Sequence, residues 1–391
     1  MAETVASLLD QICGIARRYA DPVRTKRARQ RHADMFAWRE SDYIPLAFAR
    51  PVPELAAFPD FDWRQQFFDP SASLYQQLKD AVIPQLASRS DATPGVRADT
   101  GVVNCMSVFG AEYDVPTHTR PVINRYVDRD AIAAFEVPDD ISQLGTMPRV
   151  IEHMRHHVEA LRERGLSEVV SVYHCDQQGP WDIAAQTRGH DIFLEVYEDG
   201  DFVHGLMEKA TSVYIAVSKI CKSVNGEPLN AGNTVGVWSE SGGVRMCGDS
   251  DILVRAQTYR EFIQPYEERA FAAFGGGWLH YCGGWPGFKR AEGLHLHDDY
   301  SKVEGLRGLN WTTAGDWFAE MARLRDLGIV HVGGIYREEG ESMESLFRRM
   351  LAPYDRRAGI IPSFFFLDAP DADMAMDLWH KLQDERLPRA G

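Results

Sequence analysis

No apolar run in the chain approaches the ~18 residues that a membrane-spanning helix needs, so nothing in it reads as a transmembrane segment. Basic side chains are in deficit: 42 Lys and Arg stand against 57 Asp and Glu, a formal net charge of −15. Phosphate binding needs a basic footprint, so the balance argues against nucleic acid as a partner. Cysteine is sparse, with six in 391 residues. Scattered thiols without secretory context read as reduced, available to a metal or to catalysis. A secretory signal is missing too. Val5, Leu8, Leu9, Ile12 and Ile15 recur at helical spacing, with Asp10, Arg17 and Arg18 among and after them. The expectation is a soluble, cytoplasmic protein. Absent as well are Gly-x-Ser-x-Gly, P-loop and EF-hand patterns, which removes the hydrolase-elbow, P-loop nucleotide and calcium-loop readings. No internal repeat or low-complexity tract occurs.

What is there is ordinary globular composition, 45% hydrophobic and 25% charged. Short apolar runs alternate with amphipathic stretches from about residue 165 onward. The runs are Glu168–Tyr173, Gly243–Cys247, Gly277–Cys282, Leu306–Trp311, Ile329–Ile335 and Gly359–Leu367. Upstream, Tyr43–Ala49 and Gly101–Val108 are two further strand candidates. Parallel strands need crossovers of helical length, so this alternation predicts a parallel sheet. Eight strands predict an α/β fold, a (β/α)8 TIM barrel over 43–391. Residues 1–42 read as an N-terminal helical extension. The rival open dinucleotide fold lacks its fingerprint, because Gly275–Gly277 is only a glycine cluster before a strand.

In a barrel, function sits where strands end. One strand ends Met246-Cys247-Gly248-Asp249-Ser250-Asp251, and the next ends His280-Tyr281-Cys282-Gly283-Gly284. Consecutive strands lie roughly 5 Å apart, and His280 and Cys282 at period two share a face. Thiols at Cys282 and Cys247 beside the His280 imidazole make a soft site suited to zinc. Asp249 or Asp251 could supply a carboxylate. The bland reading is a core cysteine and a histidine bonded to backbone. A second signal is Asp176–Trp181 (DQQGPW), where Gly179-Pro180 sets a turn and Gln178 and Trp181 could meet a substrate. His331 could line the barrel mouth, and the Tyr113–Arg120 loop could cover it. His295 and His297 read as solvated loop residues, and His153, His156 and His157 as a solvated helix face. Met207 and Met246 read as core.

The run Gln178-Gly179-Pro180, with Gly189–Glu195 (GHDIFLE), Tyr259–Tyr266 (YREFIQPY) and Leu279–Gly284 (LHYCGG), resembles the uroporphyrinogen decarboxylase superfamily. A weaker echo lies at Arg39–Pro45 (RESDYIP). The resemblance covers about 165–367 and implies a (β/α)8 barrel, with dimers common among relatives. Porphyrinogen decarboxylases carry an Arg-Gln-Ala-Gly-Arg-Tyr segment whose arginines meet substrate carboxylates. This chain has Leu46-Ala47-Phe48-Ala49 there, with Arg50 followed at once by Pro51. Without several arginines a polycarboxylate is poorly held.

The other branch comprises zinc methyltransferases that move a methyl group between a corrinoid protein and a thiol such as coenzyme M. Their zinc is held by a His-x-Cys pair, matched by His280 and Cys282, and by a later cysteine. No cysteine follows 282 in this chain; Ile361-Pro-Ser-Phe364 stands near that place. Cys247 or a carboxylate would have to complete the site. The leading expectation is therefore a zinc-dependent methyltransferase acting with a corrinoid protein as methyl carrier and a small-molecule thiol. Two alternatives stand beside it. One is a metal-free decarboxylase or lyase, in which Asp249 stabilises a protonated pyrrole and His280 is a general acid or base. The other is a non-catalytic binding barrel.

Overall fold

The computed structural model describes residues 4–282, 293–311, 317–334, 337–364 and 367–387. Gly283 and Gly284 of the second strand-end motif lie outside them. Eight short strands carry the fold: β1 (Ala47–Phe48), β2 (Gly95–Arg97), β3 (Ser171–Tyr173), β4 (Val244–Cys247), β5 (Gly277–Tyr281), β6 (Leu306–Trp311), β7 (Val330–Gly334) and β8 (Ile360–Phe364). β1 and β4–β8 form one six-stranded parallel sheet in the order β1-β8-β7-β6-β5-β4. β2 and β3 form a separate parallel pair.

This is a mixed α/β fold whose strand order is compatible with a barrel, although the hydrogen-bonded ladder does not close among the described residues. The β2–β3 pair falls between β1 and β4 in chain order, and backbone bonds join its flanking segments to the neighbourhood of both. Asp91 N–H donates to Leu46 O at 2.8 Å, next to β1. Gly179 N–H donates to Cys247 O at 2.7 Å, linking the end of β3 to the end of β4. The inner strands are apolar because both faces are covered.

Two expectations about elements are corrected. Gly101–Val108 is not the second strand; β2 lies earlier, and Asn104–Val108 is helical. The Asn104 side chain closes that turn, donating to Gly101 O (2.8 Å) and accepting from the Thr100 hydroxyl (2.7 Å). A short apolar run cannot by itself tell a buried helical turn from a strand. Nor are His153 and His157 solvated. Both are buried, because helix Met147–Glu163 turns them against helix Pro70–Gln77. There His157 Nε2 meets Pro70 O at 3.2 Å.

Residues 5–36 form two helices, Val5–Tyr19 and Pro22–Phe36, capped by the Thr4 and Asp21 side chains. Pro70–Gln77 continues through one π-helical turn, Leu78–Val82, into Ile83–Ser88. That turn and the tip of the hairpin Gly232–Thr234/Val237–Ser239 both reach the cavity described next.

Candidate functional site

The inward faces of β4, β5 and β6 place side chains in two layers. Arg245 is in register with Trp278, and Cys247 with His280. His280 is in turn in register with Asn310. Period-two alternation puts Arg245 and Cys247 on one face, as it does Trp278 and His280. The upper layer thus reads Cys247–His280–Asn310.

Beyond the end of β4 the turn brings Asp249 back over this layer. One ligand atom each from Cys247, Asp249 and His280 lie within 4.8 Å of one another. The Cys282 Sγ stands 3.2 Å from His280 Nε2. Asp249 Oδ1 accepts from the Cys282 N–H at 2.6 Å, which ties the carboxylate to the backbone at the end of β5. The other imidazole nitrogen, Nδ1, bonds the Asn310 Oδ1. Asn310 Nδ2 donates to Val332 O at 2.6 Å, which sets the amide's orientation. That orientation depends on Gly333 (φ +112°), where a Cβ would come within 1.9 Å of Asn310 Nδ2. Burial, with Arg245 nearby, lowers His280 to about 4, so the ring is neutral at pH 7. Burial also pushes the Cys247 thiol well above its ordinary range.

Three donors fit a zinc ion, an imidazole whose second nitrogen is fixed by an amide, the Cys247 thiol and the Asp249 carboxylate, with the Cys282 thiol beside the ring. Asp182, which the sequence reading missed, supports this set from behind. Its buried carboxylate accepts from Asp249 N–H (2.9 Å) and Ser250 N–H (2.7 Å). Burial pushes its carboxyl up to about 7, with Asp249 beside it adding to the shift. Its position one residue after Trp181, at the start of helix Pro180–Arg188, is the signal that could have pointed to it.

The other expected residues divide. Gln178 lines the cavity, its backbone at φ +54° and its amide donating to Asp176 Oδ1 at 2.9 Å. Gly179 allows close approach: a Cβ there would stand 2.4 Å from Cys247 O. Trp181 is buried away from the cavity, edge-on to Phe193. Asp251 is also buried; burial, with Glu267 and Asp182 nearby, pushes its carboxyl well above the usual range. His331 lies under the Trp311 ring, 4.7 Å between centroids, and does not line the cavity. His297, read as solvated, is buried instead and bonds Tyr281 Oη at 2.6 Å. Met207 and Met246 are core residues.

Above the layers opens a cavity of about 920 Å³. Its opposite wall comes from β2 and the segment after β3. Arg97 pairs with Asp99 (3.2 Å) and Asp176 (3.1 Å). Arg120, from the upstream loop, pairs with Asp99 at 3.1 Å and lies 4.3 Å over the Trp63 ring. Burial opposes ionisation of Asp176, but Arg97 and Arg245 together bring it to about 2. Arg245 faces the same space differently. Its Nε is buried without a hydrogen-bond partner, and its guanidinium lies 5.4 Å from the Trp278 ring centroid.

No family model matches the chain, and no curated protein matches its sequence. In fold it is similar to a methyltransferase from Methanosarcina mazei. The TM-score is 0.62 over 92% of this chain and 98% of that one, at 14% identity. At that identity the likeness concerns the fold alone. No helix among the described residues is long and apolar enough to cross a membrane.

Proposed function

We propose that this chain is a zinc-dependent methyltransferase of the uroporphyrinogen decarboxylase superfamily, moving a methyl group between a corrinoid protein and a small thiol. Its body would be a (β/α)8 barrel over 43–391, with 1–42 as a helical extension. The observation that carries the reading is the convergence of Cys247, Asp249 and His280, with Cys282 beside them, at one end of a large cavity. The methyltransferase of similar fold adds support at the level of architecture.

Three donors from among His280, Cys247, Cys282 and Asp249 would hold the ion, leaving a position for the substrate thiol. Zinc bound there supplies Lewis acidity, keeping a substrate thiol in its nucleophilic form at neutral pH. The remaining work belongs to the chain. Asn310 orients the His280 ring so that Nε2 faces the thiol of Cys282. Asp182 holds the turn that carries Asp249. Arg245, whose Nε is buried without a hydrogen-bond partner, offers a donor to an anionic group on the thiol substrate. A polycarboxylate draws less support. Arg97 and Arg120 are already matched by Asp99 and Asp176, so the cavity offers few free cations.

The test is methyl transfer from methylcobalamin to a thiol by the purified chain, before and after metal removal. Transfer should need zinc and should vanish in Cys282→Ser. Retained transfer after demetallation overturns the role given to the ion.

A further inference from the structure

A second, smaller chamber of about 180 Å³ adjoins the main cavity, and the two share Asp80, Ala81 and Val235 in their walls. Its bulky lining is apolar: Phe48, Val237, Trp278 and Val332. Four polar side chains stand on that wall, Asp80, Gln85, Asn310 and Ser363, and two of them are hydrogen-bonded. Asn310 is bonded at both ends of its amide, and Asp80 accepts from Gln76 at 2.8 Å. Protein interiors rarely leave a void larger than a water molecule. An apolar cavity of about 150 Å³ stays dry and takes up benzene.

Neighbouring glycines show how the space is kept open. Gly333 is demanded by its backbone and by Asn310, as described above. Gly334 is not. It lies outside the left-handed region, and a Cβ there would meet its nearest atom, Ser363 O, only at 3.8 Å. A larger side chain would fit and fill the chamber. The divider between the two spaces is itself unusual. Val235, at the hairpin tip, sits at φ +51°, a costly conformation for a β-branched residue. It presents its side chain, 49% exposed, to both cavities.

We infer that this chamber is a subsite for a single uncharged, apolar ring carried by the substrate. The metal cluster handles the reacting group, and the chamber sets which molecule is accepted. That the ring belongs to the methyl-transfer substrate rests on the function proposed above; that the chamber binds a ring does not.

The probe is benzene, titrated into the full-length protein and followed by ligand-observed NMR and by Tm. Wild type should bind saturably, and its Tm should rise with benzene concentration. Gly334→Leu fills the chamber from β7, and Ala81→Leu fills it from the π-helical turn. Each should weaken benzene binding at least tenfold, and the second variant keeps the test sound if the first misfolds. Zinc is measured in the same samples. Wild type that takes up no benzene, or folded variants that bind it as wild type does, overturns the ring subsite. Benzene binding in a protein that holds no zinc overturns the metal reading and leaves the chamber standing.

Discussion

The two walls of the main cavity use similar side chains to opposite ends. On the β2–β3 wall, Arg97, Asp99, Asp176 and Arg120 match one another's charges. On the β4–β6 wall, the Cys247 thiol, the Asp249 carboxylate and the His280 ring converge, and Arg245 has no partner for its Nε. Matched buried charges hold a wall in place; groups left available are the ones that can meet a metal or a substrate. The difference separates a scaffold wall from a chemical one.

The largest expected effect breaks the scaffold wall. Arg97→Met strips Asp99 and Asp176 of their main counter-charge inside the protein. Removing one partner of a buried pair costs about 3–5 kcal/mol, read as lost unfolding free energy in urea, with zinc content unchanged. Arg245→Met should cost less, since Arg245 is the weaker of the two counter-charges that hold Asp176 and makes no ion pair among the described residues. Equal losses for the two variants would erase the distinction between the walls.

A smaller effect tests the chemical wall. Asn310→Ala leaves His280 Nδ1 without its amide partner. Loss of such an outer partner lowers metal affinity by about 10–100-fold, measurable by competition with a chelator. Unchanged affinity would mean that Asn310 does not orient the ring.

The smallest effect is in pH dependence, and it separates the Arg97–Asp176 wall from the buried histidines. Burial lowers His153 to about 4, and neither ring nitrogen has a hydrogen-bond partner. Unfolded, an imidazole takes its proton near pH 6.5. Below that pH the unfolded state binds more protons, so stability falls as pH drops from about 6.5 toward 4. The slope from this one group is at most about 1.4 kcal/mol per pH unit. Asp176 behaves oppositely. Its folded value of about 2 lies under the ordinary 3.8, so its contribution is present above about pH 4 and is lost on acidification toward 2. The scaffold wall should therefore stay intact while His153 titrates. Urea unfolding at pH 7 and pH 5 should show the loss, and His153→Leu should shrink it; an equal pH 7 to 5 loss in that variant would exclude the assignment.

How much of this is legible in the sequence depends on how local the signal is. The pairing of Cys247 with His280 can be read from two consecutive strands, and Cys282 from its spacing to His280. Asn310 and Asp182 cannot. One comes from the next strand and the other from a helix 67 residues before Asp249, and neither sits in a motif. The Arg97–Asp99 wall is missed for another reason. The apolar run Gly101–Val108 draws the strand assignment away from the shorter, mixed Gly95–Arg97. His153 and His157 mislead because three histidines on an amphipathic helix look polar, while the helix that buries them lies some 80 residues upstream in the chain. The parallel α/β sheet is legible from strand count and order. The two breaks in its ladder depend on how β2 and β3 pair, which no alternation of apolar runs encodes.

The most direct test of the central claim is elemental analysis of tag-free protein, wild type beside Cys247→Ser and Cys282→Ser. The account predicts about one zinc per chain, lost from both variants while their folds persist by circular dichroism. Wild type without zinc after reconstitution under reducing conditions, or both variants with a full complement, would contradict it.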